Sequence, residues 1–350
     1  MAGGHALNDS TTGKTSRSGR ARVRAATAGV LAVLAGTPAL AAAQAGSEPS
    51  YPDRPIRMVV PFPPGGINDL VARIVGQSLG DQLRQPLIID NRAGAGGTLG
   101  LGIAARANPD GYTLAFGATS TVAVSPALYR NLPYDPVKAF APIAPLAEVP
   151  SVVLVTPSLA AGSMKELLAL ARAKPGSLNY ASAGAGTSQH MGTELLKAMT
   201  KVDMVHVPYK GGAAAMGDLL GGQVQLLIEP LPTALPHIRS GKVRALAVTS
   251  PARLAILQDL PTVADAAGLP RYELMIWFGL LAPANTPRTI VQRLNQEVVK
   301  AVASPEVRER FAQQGATSAA PQTPEQFGAF IRREITRWAE VARVSGAKVE

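Results

Sequence analysis

Four short stretches of the chain carry residue types suited to holding an anion. They are Pro63-Pro-Gly-Gly66, Arg92-Ala-Gly-Ala-Gly-Gly-Thr98, Gly184-Ala-Gly-Thr-Ser188 and Lys210-Gly-Gly212. Each follows an apolar run with strand character and precedes a helical pattern. Glycine lets a ligand approach the backbone closely. The helix that follows turns free N–H groups and a partial positive charge towards the same place. Thr187 and Ser188 add small hydroxyl groups. Together these make a cradle for a carboxylate- or phosphate-sized anion that needs no arginine. A single loop of this kind is accounted for by helix entry alone, because Gly, Ser and Thr serve the backbone there. The pair Gly65-Gly66 and 184–188, far apart in the chain, points instead to a ligand.

Other chemistries find little support. The chain has no cysteine, which excludes disulfides, thiol catalysis and Cys-ligated zinc. Gly94-Ala-Gly-Gly-Thr-Leu99 lacks the last glycine of G-x-G-x-x-G, and Asp90 precedes that loop instead of following it, so no dinucleotide is expected. Neither a phosphate-binding G-x-x-x-x-G-K-[ST] loop nor a G-x-S-x-G nucleophile elbow occurs. His190, His206 and His237 have no metal-ligand spacing, and no metal or cofactor is expected. His190 falls in the first turn after Thr187-Ser188, either meeting a ligand or lying on the helix surface or behind the loop. Asp69, in the first turn after Gly65-Gly66, either complements the helix dipole and orders the loop or meets a ligand donor. Glu229 ends an apolar strand, either in a cleft or exposed. A secreted hydrolase using His190 with Ser182 or Ser188 is the catalytic alternative.

The elements that must position these residues alternate. Strands are expected over 56–60, 87–90 and 112–116, with helices over 68–83 and 98–107 between them. This βαβαβ order with apolar strands implies parallel pairing and helices on both faces. The middle third repeats the theme. Strands at 152–155, 178–181, 204–207, 224–228 and 243–248 are interleaved with helices from Ser163, from Ser188 to Met199, up to Leu220, and near 235–240. Ser163 and Glu166 have capping-box spacing. The last third has a strand over 275–282 and three helices opened by Thr286-Pro287, Ser304-Pro305 and Thr323-Pro324. The apolar stripe of the last, Phe327, Phe330, Ile331, Ile335, Trp338 and Val341, reads as core. Two lobes fit these segments, one from 47–150 with 273–350 and the other from 151–272, joined by crossings near Pro150 and Tyr272.

Composition agrees with an exported protein. The 350 residues carry 34 Lys+Arg against 24 Asp+Glu. Residues 1–43 read as a signal peptide, with Lys14, Arg17, Arg20, Arg22 and Arg24 before an apolar run that ends in AAAQA. Cleavage is expected after Ala43 or Ala45. Without the leader the chain keeps 29 basic and 23 acidic residues, a net +6. These charges are scattered and aromatics are 5%, so nucleic acid is not an expected partner.

A set of motifs runs in order along the whole mature chain. They are Tyr51-Pro-x-Arg-Pro-Ile-Arg, Val60-Pro-Phe-Pro-Pro-Gly-Gly-x-Asn-Asp69, Asn91-Arg-x-Gly-Ala-Gly-Gly97, Tyr180-Ala-Ser-x-Gly-x-Gly-Thr-Ser-x-His190, Val207-Pro-Tyr-Lys-Gly-Gly212, Leu235-Pro-His-Ile-Arg-Ser-Gly-Lys-Val-Arg-Ala-Leu-Ala-Val248 and Trp277-x-Gly-Leu-x-Ala-Pro283. The set resembles the Bug family of periplasmic receptors, the substrate-binding components of tripartite tricarboxylate transporters. The resemblance implies an α/β, type II periplasmic-binding fold: two lobes, each with a central mixed, mostly parallel sheet and flanking helices, closing about a two-strand hinge. It implies a monomeric receptor in the periplasm that captures a small di- or tricarboxylate or similar organic acid for a two-part membrane permease. A sensor that docks on a membrane signalling partner would share these features.

Carried over residue by residue, the first carboxylate loop falls on Phe62, Pro64, Gly65, Gly66, Ile67, Asn68 and Asp69. The other lobe's loop falls on Ser182, Gly186, Thr187, Ser188 and His190. The third strand's end places Thr119 and Ser120 towards the cleft, and Tyr209 and Glu229 complete the candidates. The family often has Asp where this chain has Glu229, a longer acid that changes pocket volume or polarity.

Overall fold

The computed structural model describes residues 51–347; the expected signal peptide at 1–43 lies outside them. The strands are β1 (Ile56–Val60), β2 (Leu87–Asn91), β3 (Thr113–Ala118), β4 (Phe140–Val155), β5 (Asn179–Ser182), β6 (Val205–Pro208), β7 (Leu226–Pro230), β8 (Arg244–Val248), β9 (Met275–Pro283) and β10 (Thr317–Ser318). The helices are α1 (Ile67–Leu83), α2 (Thr98–Ala105), α3 (Ser125–Leu128), α4 (Met164–Ala173), α5 (Ser188–Thr200), α6 (Gly212–Leu220), α7 (Leu231–Arg239), α8 (Val263–Ala267), α9 (Arg288–Ala303), α10 (Pro305–Gln313) and α11 (Pro324–Ser345).

Two sheets share one strand. The first runs β2-β1-β3-β9-β4, with β10 on β4; the second runs β4-β7-β5-β6, with β8 also on β4. β1 pairs parallel with β2 and β3, and β5 pairs parallel with β6 and β7. A helix follows each of these strands, so the chain must cross over before it pairs again. The sheets are mixed, as expected, but the parallel share is confined to these outer strands. The pairings of β9 with β3, and of β4 with β9, β7 and β8, are antiparallel because long strands pass back through the middle.

β4 is far longer than the strand expected over 152–155. Residues 140–150 pair with β9, Ser151 to Val155 pair with β7, and Val152 to Val155 pair also with β8. Pro142, Pro145 and Pro150 mask it in the sequence, since proline lacks a ladder donor. The register with β9 shifts beside Pro142 and again beside Pro145, which accommodates them.

Local capping sets the helix starts. Ser163 accepts from the Glu166 N–H, but Glu166 Oε2 accepts from Gly162 N–H at 2.6 Å, so the reciprocal half of the expected box is displaced by one residue. Thr323 and Gln326 do form the reciprocal box. α11 buries Phe327, Ile331 and Trp338 and packs against α5 and β4. Gly279 in β9 makes room for it, since a methyl there would meet the Phe327 ring at 2.1 Å. Burying each such side chain contributes about 1.5–3 kcal/mol. The carboxyl ends of β1, β5, β6 and β7 all open into helix starts, and a crevice beyond such ends is where α/β sheets place ligands.

Candidate functional site

A cavity of about 580 Å³ lies where those strand ends meet. α1 contributes its N-terminus. Gly66 precedes it in extended conformation with no side-chain cap, and the first intrahelical bond is from Leu70 N–H to the Gly66 carbonyl. The N–H groups of Ile67, Asn68 and Asp69 therefore have no partner within the helix. Asn68 is buried, and its Oδ1 has no hydrogen-bond partner among the described residues.

The loop before α1 is held from behind. Gly65 adopts φ +81°, a left-handed conformation that favours glycine. Its N–H donates to Asp69 Oδ2 at 3.0 Å, so this glycine of the expected carboxylate loop shapes the turn and its N–H is not free for a ligand. Arg73 Nε donates to the same oxygen at 2.9 Å and Asn91 Nδ2 to Oδ1 at 3.2 Å. Burial pushes the Asp69 carboxyl up, but the bonds from Arg73, Gly65 and Asn91, with the Arg73 charge, hold it below the usual carboxylate range. Of the two readings of Asp69, loop ordering is the one this geometry displays.

α5 enters from the second sheet. Thr187 Oγ1 donates to the Gly184 carbonyl at 2.7 Å and accepts from His190 N–H at 3.5 Å. Its hydroxyl is thus spent on the helix cap and is not the additional ligand donor that the sequence suggested. The N–H groups of Ser188 and Gln189 precede the first helical bond, which runs from Met191 to Thr187. α6 begins without a side-chain cap at Gly211, leaving the Gly212 and Ala213 N–H groups in the same position.

Ser182, Gly186 and His190 lie behind this loop and off the cavity wall. His190 Nδ1 accepts from Gly186 N–H at 3.1 Å, and its ring stacks on His206 with centroids 4.0 Å apart. Burial lowers the pKa of His190 to about 4 and of His206 to about 3. Ser182 Oγ is 2.7 Å from His206 Nε2 and donates to the Gly184 carbonyl at 3.0 Å. The pairing of His190 with Ser182 or Ser188 needed by the hydrolase alternative is therefore not made. Ser182 is wholly buried and braces the loop.

Glu229 is 2% exposed, which removes the reading of an exposed acid. Thr233 Oγ1 donates to its Oε1 at 2.6 Å, and Gln189 Nε2 to its Oε2 at 3.5 Å. Burial pushes its pKa up to about 7, against the lowering effect of those two bonds.

Phe62, Pro64, Gly65, Gly66, Ile67, Asn68, Asp69, Ser120, Thr187, Ser188 and Glu229 line the cavity; Thr119, Ser182, Gly186, His190 and Tyr209 do not. Thr119 Oγ1 instead accepts from Trp277 N–H at 2.8 Å, and the Tyr209 hydroxyl donates to Asp218 at 2.6 Å. The turn Arg92 to Thr98 also stays off the wall. Its Ala95 carbonyl and the Ala185 carbonyl lie 3.2 and 3.3 Å from the Tyr129 hydroxyl, which joins this turn to the 184–188 loop. Sequence reasoning missed Gln189, Arg73, Thr233 and His237 on the wall, and the apolar Met216, Ile276 and Phe278. Thr233 and Arg73 left a signal, each one helical turn after a candidate acid, Glu229 and Asp69, and Gln189 lies between Ser188 and His190.

Comparison with known proteins agrees with this architecture. The family model described as "Tripartite tricarboxylate transporter family receptor" matches residues 71–346. Protein BugT of Bordetella pertussis is 41% identical over 305 residues, which cover 87% of this chain and 93% of BugT. A structure from R. palustris with adipate is 37% identical with a TM-score of 0.82, covering 85% of this chain and 100% of that one. MatC from Rhodopseudomonas palustris with bound malate is 36% identical with a TM-score of 0.79, covering 83% and 99%. The α/β architecture with two sheets and a cleft is that of two-lobed periplasmic binding proteins, and the chain belongs to the Bug family of tripartite tricarboxylate transporter receptors.

Proposed function

We propose that this receptor captures a small carboxylate-bearing solute in its cleft and delivers it to the membrane permease of a tripartite tricarboxylate-type transporter. The observation that carries the reading is the uncapped start of α1, with its free N–H groups at Ile67, Asn68 and Asp69, facing the starts of α5 and α6 across one cavity. Adipate and malate in the two related structures are both carboxylates, which supports the ligand class. The cavity volume falls within the usual range for small-ligand sites.

Magnitudes support reversible capture. A hydrogen bond to a charged group contributes about 1.5–3 kcal/mol, so three N–H donors on one carboxylate amount to about 5–9 kcal/mol before losses. The helix terminus adds roughly 0.3–1 kcal/mol, up to about 2. Micromolar affinity corresponds to about 8 kcal/mol.

The lobes are assigned to 47–150 with 273–350, and to 151–272, and they close about two crossings. Thr249 supports this placement, because it ties the two crossing segments together. Its N–H donates to the Ser151 carbonyl at 2.9 Å, its Oγ1 accepts from Ser151 N–H at 2.8 Å, and Leu274 N–H donates to its carbonyl at 3.0 Å. The receptor acts without catalysis, as a monomer in the periplasm, after removal of the N-terminal leader. Among the described residues no helix is long and apolar enough to cross a membrane.

Calorimetry of the mature protein against mono-, di- and tricarboxylates, with native mass spectrometry of co-purified solute, tests the reading. A carboxylate bound at micromolar levels is expected. Absence of any binder together with an empty native spectrum would overturn it.

A further inference from the structure

One wall of the cleft holds a group of the wrong sign for an anion receptor. Glu229 is almost wholly buried, yet it forms part of the cavity lining. Thr233, in the first turn of α7, and Gln189, second in α5, both donate to its carboxyl. A methyl at Gly212, first in α6, would stand 3.0 Å from Oε1. The acid therefore sits among the first turns of three helices. Helix starts of this kind are where a ligand anion would otherwise settle.

Among the described residues no cation pairs with it. On the wall the other charged or titratable groups are Lys210 before α6, His237 on α7, and Asp69 with Arg73 on α1. Asp69 and Arg73 pair with each other. On α5, His190 is held by Gly186, while Glu194 takes the Tyr180 hydroxyl and Lys197. On α6, Asp218 takes the Tyr209 hydroxyl. β4 sets apolar Val152 opposite Glu229 in the sheet. Burial, not a neighbouring charge, governs the ionisation of Glu229.

We propose that Glu229 determines specificity: its carboxyl fills the seat that a second ligand carboxylate would take, so the cleft selects a monocarboxylate whose far end carries a hydrogen-bond donor over the matching diacid. The inference rests on the receptor reading above and narrows its ligand class. Ionised Glu229 accepts from an ammonium, amide or hydroxyl group and repels a second anion, strongly so in a site shielded from water. Protonated Glu229 loses the repulsion, so the preference weakens as pH falls.

The test is calorimetry at pH 5.5 and 8.5 with matched pairs: glutamine and glutamate, 6-aminohexanoate and adipate, 4-hydroxybutanoate and succinate. At pH 8.5 the donor-ended member of a binding pair is expected to bind at least about tenfold tighter. Lowering the pH to 5.5 narrows that gap several-fold, and Glu229→Gln narrows it about tenfold at pH 8.5 and removes its pH dependence. Tighter binding of the diacid by the wild type at pH 8.5 overturns the inference and leaves the receptor reading standing. So does an unchanged preference in a Glu229→Gln protein that melts like the wild type. Should that variant not fold, a wild-type preference constant from pH 5.5 to 8.5 overturns the inference by itself. Failure of every pair, with no carboxylate bound at all, overturns the receptor reading and this inference with it.

Discussion

Asp69→Asn isolates the device that shapes the first ligand loop. In the wild type, Oδ2 takes Gly65 N–H at 3.0 Å and Arg73 Nε at 2.9 Å, while Oδ1 takes Asn91 Nδ2 at 3.2 Å. An asparagine keeps one of these oxygens and replaces the other with an NH2 group. If its oxygen stays on the Gly65 side, its NH2 faces the NH2 of Asn91. Asn91 cannot turn over to relieve this, because the same NH2 donates to the Phe62 carbonyl at 3.0 Å. One buried donor is left unpaired, at a cost of about 1–3 kcal/mol. The lost charge on the partly exposed Arg73 adds only about 0.2–1 kcal/mol. The sum of about 1–4 kcal/mol falls on the loop that leads into α1. Ligand affinity is expected to drop between about fivefold and several hundred-fold, and the melting temperature by several degrees, at roughly 2–4 °C per kcal/mol. The pH profile has a definite sign. The folded-state pKa of Asp69 lies below its unfolded value, so its contribution is complete above the ordinary carboxylate pKa and is lost as pH falls through the depressed value. The variant should lack that part of the acid loss of stability. Calorimetric affinity and thermal melts from pH 3 to 7 measure both effects. An Asp69→Asn protein with wild-type affinity, melting temperature and acid profile would refute the reasoning.

Three further outcomes follow from the packing. His190→Ala removes the acceptor of the buried Gly186 N–H and should destabilise by about 1–3 kcal/mol. The folded-state pKa of His190 is lowered to about 4, so wild-type stability falls as pH drops from about 6.5 towards that value, and the variant should show a smaller fall in melts over this window. Tyr129→Phe deletes the hydroxyl set between the Ala95 and Ala185 carbonyls. Its loss of about 0.5–1.5 kcal/mol should speed ligand release about two- to tenfold in stopped-flow fluorescence, and an unchanged rate would deny the hydroxyl a part in retaining the ligand. Gly279→Ala drives a methyl into the Phe327 ring and should cost about 1–3 kcal/mol in denaturant unfolding, because α11 must lift off β9.

Local signals carried most of the element plan. Apolar runs bounded by Gly and Pro marked the parallel strands of both sheets, and Ser163, Ser304 and Thr323 marked helix starts by bonds reaching only three residues along the chain. The long strand through Pro142, Pro145 and Pro150 escaped, because proline breaks the local strand signal, and the extra residues that β4 itself inserts against β9 beside Pro142 and Pro145 appear only once the two strands are paired. The same limit governed the site. The uncapped glycine turn before α1 is a local feature, so it was legible from Pro63 to Asp69. The role of each side chain behind the turns was not. Ser182 meets His206 across 24 residues, Gln189 meets Glu229 across 40, and Tyr129 meets Ala185 across 56. The sequence by itself determined that helix starts with free N–H groups would be made. Only the tertiary structure decided which of them share a cavity, which turn is closed off by Tyr129, and that a buried acid stands among three of them. Backbone conformation is set within a few residues, whereas burial and partnership depend on sheet pairings that bring distant segments together.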